Sequence, residues 1–272
     1  MALDLWSVNP SWQNFSSMYR EACAASEAPT DFEKSHHLTA ALYFGIASIE
    51  SFLNLQMRAH LGATKCADEI FNELRQTGFL RKLRRWPNEI TGKDSPISSD
   101  VLEFIDFCNS VRGDLTHPKT AGHDIYEKLL TVKPNAIVDA VAQCIVGFHQ
   151  AQKTRFPYWV FGWNYLNPSQ GIHQIVLFND QQFCHSLSAL GFKIPSFDYH
   201  RAEAWKNNNL TSTDGYVAIR DKLQAFQHCE PKFDRFPYMP KLCRRWWTAE
   251  HQKSCGYVSE QSLSTARKLD GA

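Results

Sequence analysis

The sequence lacks an excess of charge of either sign. Its 272 residues carry 29 lysines and arginines against 28 aspartates and glutamates, which gives a formal net charge of +1. A chain this close to neutral has no overall attraction to nucleic acid or to acidic membranes. Any binding to an anionic partner must therefore come from a local cluster of basic residues.

Long hydrophobic runs are also missing. The longest apolar run, from residue 40 to residue 49, is well below the roughly 20 residues that a membrane span needs. The chain begins Met-Ala-Leu-Asp-Leu-Trp and lacks the basic and then apolar pattern of a signal peptide. We therefore expect a cytoplasmic protein with no membrane partner.

Close cysteine pairs are the third absence. The chain has eight cysteines, and none of them form a CxxC pair, so reduced and buried thiols are expected. The tail holds four residues of types that bind zinc, namely Cys229, Cys243, His251 and Cys255. The gaps between them are longer than in most zinc sites. A zinc-dependent nucleic-acid binder is therefore only a third functional hypothesis, and we expect neither a metal nor a cofactor.

Apolar residues at three-to-four spacing predict that about the first 150 residues are helical. Thr30 and Glu33 form a capping-box pattern that opens a long helix ending near Gly62. The buried stripe of that helix is predicted as Leu38, Leu42, Ile46, Ile49, Leu53 and Met57. Further helices are predicted over 11–25, over 68–86 with a weak point at Gly78, from Ser99 or Asp100 to His117, and from Asn135 onward, with loops at 87–99 and around Gly122. Short connections between such helices favour an antiparallel bundle.

The composition changes near Arg155. Dense aromatic residues follow, then a β-branched run from residue 172 to 178 that predicts a strand. Helices are predicted over 179–191 and 214–228. We therefore expect a mainly α protein with two domains, a helical bundle over 1–154 and a smaller mixed α/β or α+β domain over 155–272.

One segment combines groups that can cleave a phosphodiester. Residues 111 to 119 read Val-Arg-Gly-Asp-Leu-Thr-His-Pro-Lys, and they end a predicted helix because proline disfavours helical geometry in the residue before it. Arg112 and His117 are five positions apart, or about 1.4 helical turns. An imidazole can move a proton near neutral pH, and a guanidinium can stabilise negative charge that develops on a phosphate. An arginine and a histidine at a helix end can also serve only as capping cations that favour the helix dipole.

This segment resembles the signature of the HEPN family, the higher-eukaryote and prokaryote nucleotide-binding helical domains. That signature is an arginine followed after four to six residues by a histidine near the end of a core helix. The preceding run Ile49-Glu50-Ser51-Phe52-Leu53-Asn54 is similar to the acidic, asparagine-bearing helix of the family, and the resemblance covers about residues 15 to 150. It implies a dimer of helical bundles that places two motifs in one cleft. The implied activity is metal-independent RNA cleavage that leaves a 2′,3′-cyclic phosphate and a 5′-hydroxyl.

The resemblance also implies roles for individual residues. His117 would be the general acid and base, and Arg112 would stabilise the transition state. Asp114 or Thr116 would orient His117 or contact the ribose, while Glu50 and Asn54 would support the motif arginine. Gly113 departs from the family pattern, in which the residue after the arginine is commonly polar and often asparagine.

A dense basic run gives the chain a local site for an anionic substrate. Arg81, Arg84 and Arg85 share one side of a predicted helix, and Trp86 could stack on a base. These three arginines and Lys119 are the predicted RNA-binding residues. The alternative is an ordinary solvated helix face whose charges are balanced by acidic neighbours.

Two functional hypotheses follow. The first is a HEPN-type endoribonuclease that acts as a toxin or a phage-defence effector and is regulated by a protein partner such as an antitoxin or an ATPase. The second is a non-catalytic helical module that dimerises or docks onto a nucleotidyltransferase or an ATPase.

Overall fold

A computed structural model of the protein describes residues 9–117, 124–161, 165–166, 175–176, 193 and 199–229. The chain divides into two compact units, Met1–Gln152 and Lys153–Ala272, and the sequence predicts the boundary at residue 154. The prediction of a mainly helical protein is confirmed for the described residues. The helices of the first unit are α1 Pro10–Glu27, α2 Asp31–Leu61, α3 Ala67–Gln76, α4 Phe79–Thr91, α5 Ser99–Thr116, α6 Asp124–Leu130 and α7 Pro134–Gln152.

The long helix α2 is the centre of the first unit. It begins where the capping pattern predicts, because the Thr30 hydroxyl accepts a hydrogen bond from the Glu33 backbone N–H at 3.2 Å. Gly62 follows its last residue, as predicted. The predicted stripe is buried in full: Leu38, Leu42, Ile46, Ile49, Leu53 and Met57. All six other helices that the structure describes in this unit pack on α2, so this unit has the character of a helical bundle.

Helices α1 and α2 form the most extensive packing in the unit and run antiparallel. Ser11 and Ser48 each donate a hydroxyl hydrogen bond to the other's backbone carbonyl, at 3.0 and 2.9 Å. Further along α1, Glu21 lies 2.8 Å from the His37 ring, so the residue numbers rise on one helix as they fall on the other. Small residues make the close approach possible, because a β-carbon at Gly45 would lie 3.0 Å from the Met18 sulfur.

The region after α2 differs from its prediction in two ways. The single helix predicted over 68–86 is divided at Thr77 and Gly78, where the backbone is extended. Gly78 was the predicted weak point, and it becomes the N-cap of α4. The loop prediction over 87–99 is wrong for its first part, because α4 continues through Pro87 to Thr91. Proline removes one helical hydrogen bond, and burial of Trp86 and Pro87 offsets that loss.

The remaining boundaries are close to the predictions. The N-cap of α5 is Ser98, one or two residues before the expected Ser99 or Asp100, and its C-cap is His117. Helix α7 begins at Pro134 and not after a cap at Asn135. The sequence missed the short helix α6, which lies just after the predicted loop around Gly122.

Helix α2 is also long and apolar enough to cross a membrane by length and composition. Half of that stretch is buried inside the unit, and the core helix of a soluble protein passes the same test. The fold is therefore compatible with a soluble protein.

The second unit is described in part. A 3₁₀ turn covers Tyr158–Phe161, and the two-residue strands β1 Tyr165–Leu166 and β2 Ile175–Val176 pair antiparallel. Helices α8 Tyr199–Asn209 and α9 Thr213–Cys229 follow. Strand β2 lies within the predicted strand and α9 covers the helix predicted over 214–228, whereas the helix predicted over 179–191 is outside the described residues.

Two clusters hold the start of this unit together. The rings of Phe156, Phe161 and Tyr216 are in mutual contact at centroid distances of 5.3 to 6.1 Å. Glu203 accepts hydrogen bonds from Lys206, at 2.5 Å, and from Arg155. These two cations lower the pKa of Glu203 to about 2.

Burial makes His149 a source of acid sensitivity. This residue of α7 lies against Phe52, with ring centroids 5.7 Å apart, and burial lowers its pKa to about 4. The folded pKa is below the ordinary value of about 6.5, so the unfolded chain takes up the proton first. The contribution of His149 to stability is therefore fully present above about pH 6.5 and is lost as the pH drops toward 4.

We expect His149→Phe to retain about 2–3 kcal/mol more of its unfolding free energy than wild type when the pH is lowered from 7 to 4.5. Denaturant unfolding at both pH values measures this. The exposed His60 supplies the control His60→Gln, and an equal loss in both variants would refute the role of His149.

Substitution by alanine is expected to change the unfolding free energy in opposite directions at Gly147 of α7 and at Gly113 of α5. A β-carbon at Gly147 would lie 2.7 Å from the Pro96 carbonyl oxygen, whereas one at Gly113 would meet nothing within 4 Å. We expect Gly147→Ala to lower the unfolding free energy by about 1–3 kcal/mol. Gly113→Ala should raise it by up to about 1 kcal/mol, since glycine is unfavourable in a helix. Thermal and denaturant unfolding measure both, and a shift of the same sign in the two variants would contradict the packing.

Candidate functional site

The motif arginine extends the buried stripe of α5. Val101, Ile105 and Cys108 are buried, and Arg112 follows them at helical spacing on the same face. Arg112 itself is half-buried. A guanidinium at the end of an apolar stripe is less hydrated than one on an open surface, so it attracts an anion more strongly.

The motif histidine is at the end of the same helix. His117 is the C-cap of α5, is exposed, and has φ −131° and ψ 72°. Its backbone N–H donates to the Gly113 carbonyl at 2.9 Å. The backbone of His117 is not helical. The spacing of about 1.4 helical turns therefore does not give the direction of its ring relative to Arg112. The structure does keep Arg112 and His117 at one helix end.

A tyrosine on α2 contacts the motif between these two residues. The Tyr43 hydroxyl forms a hydrogen bond with the Thr116 hydroxyl. Thr116 in turn donates to the Arg112 backbone carbonyl at 2.8 Å. Since the single hydroxyl proton of Thr116 is used for that carbonyl, Tyr43 is the donor to Thr116.

Helices α2 and α5 run antiparallel, and polar residues follow the line where they meet. Tyr43 of α2 contacts Thr116 of α5, while α4 links residues further along both helices through Glu50–Lys82 and Asp106–Arg84. We call this line the polar seam. Its contacts are those of Tyr43, Glu50, Asp106 and Thr116. Asn54, Asn109 and Arg112 are assigned to it because they share the same helix faces by spacing.

Glu50 is held by a buried lysine. Lys82 Nζ donates to Glu50 Oε1 at 2.6 Å, and the side chain of Lys82 is only 4% exposed against 35% for Glu50. The lysine also lies over the Trp86 ring, 5.4 Å from its centroid. Glu50 therefore joins α2 to α4, and its predicted support of Arg112 stays a prediction.

Two carboxamides in the seam lack partners. The side-chain oxygens of Asn54 and Asn109 are buried and have no hydrogen-bond partner among the described residues. Such an acceptor costs roughly 1–3 kcal/mol when it is left unpaired. Asn109 is one helical turn before Arg112, so an unpaired acceptor lies close to the motif.

The arginines of the predicted basic surface lie on α4 and differ in their pairing. Arg81, Arg84 and Arg85 are exposed, but Arg84 donates to Asp106 at 2.5 Å. Trp86 is 3% exposed, so the idea that its ring stacks on a base is wrong. Lys119 is outside the described residues. Asp114 is half-buried beside Gly113.

Other chemistry at this site is limited by burial. Cys108 lies one turn before Arg112, and burial raises its pKa to about 12, so its thiol does not ionise near neutral pH. Among the residues that the structure describes, no group of three His, Cys, Asp or Glu side chains could hold a metal ion. Cys243, His251 and Cys255 are outside that part of the chain.

The sequence prediction does not include Tyr43, Asp106 or Asn109. Lys82 belongs to the predicted basic run, but its burial against Glu50 is not predicted. One signal was available, because Tyr43, Glu50 and Asn54 share a face of α2 at helical spacing. Asn109 precedes Arg112 by three residues and gives a similar signal on α5. The partners Lys82 and Asp106 gave none, since they belong to other helices.

No protein-family model, no curated protein and no solved structure matches this chain. The resemblance to the HEPN family therefore rests on the sequence motif.

The Glu50–Lys82 pair predicts an asymmetric response to mutation. Glu50→Gln leaves the buried ammonium of Lys82 without a counter-charge, so we expect a loss of about 2–3 kcal/mol of unfolding free energy. Lys82→Met should cost less, because the half-exposed Glu50 carboxylate can be solvated by water. Denaturant unfolding at neutral pH measures both. If Lys82→Met were the more damaging change, the pair would not be the contact that matters here.

Proposed function

We propose that this chain is a metal-independent endoribonuclease of the HEPN type, active in the cytoplasm as a toxin or a phage-defence effector. The observation that carries the proposal is the end of α5. The half-buried guanidinium of Arg112 lies near the end of this helix, and the exposed imidazole of His117 belongs to its C-cap residue. Tyr43 of α2 forms a hydrogen bond with Thr116, which lies between them in the sequence.

RNA brings its own nucleophile, so the protein needs few groups. His117 would remove the proton from a 2′-hydroxyl, and that oxygen would then attack the adjacent phosphorus. As the P–O5′ bond breaks, a protonated imidazole would supply the proton that the 5′-oxygen takes up. Arg112 would stabilise the extra negative charge on the phosphoryl oxygens. The products would be a 2′,3′-cyclic phosphate and a 5′-hydroxyl.

A homodimer would supply the two imidazoles that this scheme uses. One His117 would act as the base and that of the partner subunit as the acid, with both motifs around one phosphate. The exposed arginines Arg81 and Arg85, together with Arg84 and Lys119, would bind the flanking phosphates. Asp114 and Asn54 remain proposed orienting residues.

A non-catalytic module is the second candidate. The near-zero net charge and the pairing of Arg84 with Asp106 favour it, since both reduce attraction to RNA. Gly113 favours it as well, because the residue after the arginine has no side chain. Such a module would use the bundle to dimerise or to dock onto a nucleotidyltransferase or an ATPase, and it would not cut RNA.

Cleavage of single-stranded RNA in excess EDTA separates the two candidates. We expect wild type to release fragments with 2′,3′-cyclic phosphate ends. His117→Ala and Arg112→Ala should each lower the rate by about 100-fold or more while circular dichroism stays unchanged.

Matched controls come from the last turns of α2. His60 and Arg58 are exposed, and His60→Ala and Arg58→Ala should keep the wild-type rate. Equal cleavage by wild type and His117→Ala would mean that the activity is a contaminant or belongs to another site. Absence of cleavage by pure, folded wild type would favour the docking module.

A further inference from the structure

We infer that Tyr43 is a positioning residue of the proposed ribonuclease site. Its hydroxyl, acting through Thr116, would hold the last turn of α5 so that Arg112 and His117 reach one scissile phosphate of single-stranded RNA. This inference rests on the proposed function and extends it to a residue on a different helix, outside the motif.

The hydrogen bonds form a chain with one direction. Tyr43 donates to the Thr116 hydroxyl, and Thr116 donates to the Arg112 backbone carbonyl at 2.8 Å. The second bond is the one that a threonine hydroxyl makes to the carbonyl four residues earlier in a helix. The first bond ties that carbonyl to α2, the central helix of the unit.

The end of α5 needs such a tie. The last turn of a helix frays because its final carbonyls have no partner further along the chain. Thr116 and His117 are both exposed, so little apolar packing holds them. Acid–base catalysis demands that the proton-moving group stay within hydrogen-bond reach of its target, and a misplacement of about 1 Å can cost about 100-fold in rate.

The hydroxyl, and not the ring, carries this role. Tyr43 is 38% exposed, so its ring could also stack on a base and contribute to binding. The two roles differ in what they affect. Loss of alignment lowers kcat at constant KM, whereas loss of a stacking surface raises KM.

Tyr43→Phe removes the hydroxyl and keeps the ring. We expect kcat on single-stranded RNA to fall by about 10- to 100-fold with KM changed by less than about twofold. Thr116→Val should have the same effect, and the double variant should be no worse than either single one, since all three break one chain. Thr116→Ser keeps the hydroxyl and should retain most of the activity. Tyr126 is exposed on α6, and Tyr126→Phe is the matched control.

Backbone amide exchange tests the tie without any substrate. The His117 N–H donates to the Gly113 carbonyl in this last turn, and it should exchange about 2- to 10-fold faster in Tyr43→Phe than in wild type. The amides of the middle of α5 should be unchanged.

The outcomes are distinguishable. A Tyr43→Phe variant that keeps the wild-type kcat, or that changes KM alone, would overturn the positioning role while leaving the ribonuclease proposal intact. Additive losses in the double variant would also overturn it. If wild type does not cut RNA, the proposed function fails and the positioning role of Tyr43 in catalysis fails with it. If the His117 N–H then exchanged at the same rate in Tyr43→Phe as in wild type, Tyr43 would not hold the end of α5 either.

Discussion

The constraint on which this fold depends is that α2 is covered by other helices along its middle. Helices α1 and α7 approach its small and apolar residues, and α4 and α5 approach its polar stripe. A polar group of a neighbouring helix that is buried against α2, such as the 4% exposed Lys82, needs a partner on α2. Tyr43 bonds to Thr116 and Glu50 bonds to Lys82. Each of these contacts also fixes the position of another helix.

The candidate site is a product of the same seam. Arg112 is at the end of an apolar stripe, where a core side chain would be expected, and His117 caps the helix that carries it. Helix ends are usually the least ordered part of a helix, but here the end is bonded to the best-packed helix of the unit. A half-buried cation, an exposed imidazole and a fixed backbone are what the proposed phosphodiester chemistry requires. The side-chain oxygens of Asn54 and Asn109 are buried on α2 and α5 and have no hydrogen-bond partner in the part of the chain that the structure describes.

Periodicity predicted the first unit well where apolar packing decides the structure. The buried stripe of α2 follows from three-to-four spacing alone, because these side chains bury the same face whatever they contact. Glycine and proline were less reliable indicators of where helices end. The sequence predicts Gly78 as a weak point within one helix, but Gly78 is the N-cap of α4. It predicts Pro87 in a loop, but Pro87 lies within α4. Burial of Trp86 against other helices outweighs the local preference of proline for a loop, and local sequence patterns do not indicate that burial.

The sequence by itself determined where most helices of the first unit begin and end, which faces they bury, and that an arginine and a histidine stand at the end of α5. Those features depend on residues within a few turns of each other. Only the tertiary structure decided which polar groups meet. Glu50 and Lys82 are 32 residues apart, and Tyr43 and Thr116 are 73 apart. Contacts at such separations depend on how whole helices pack, and they leave no periodic trace in the sequence.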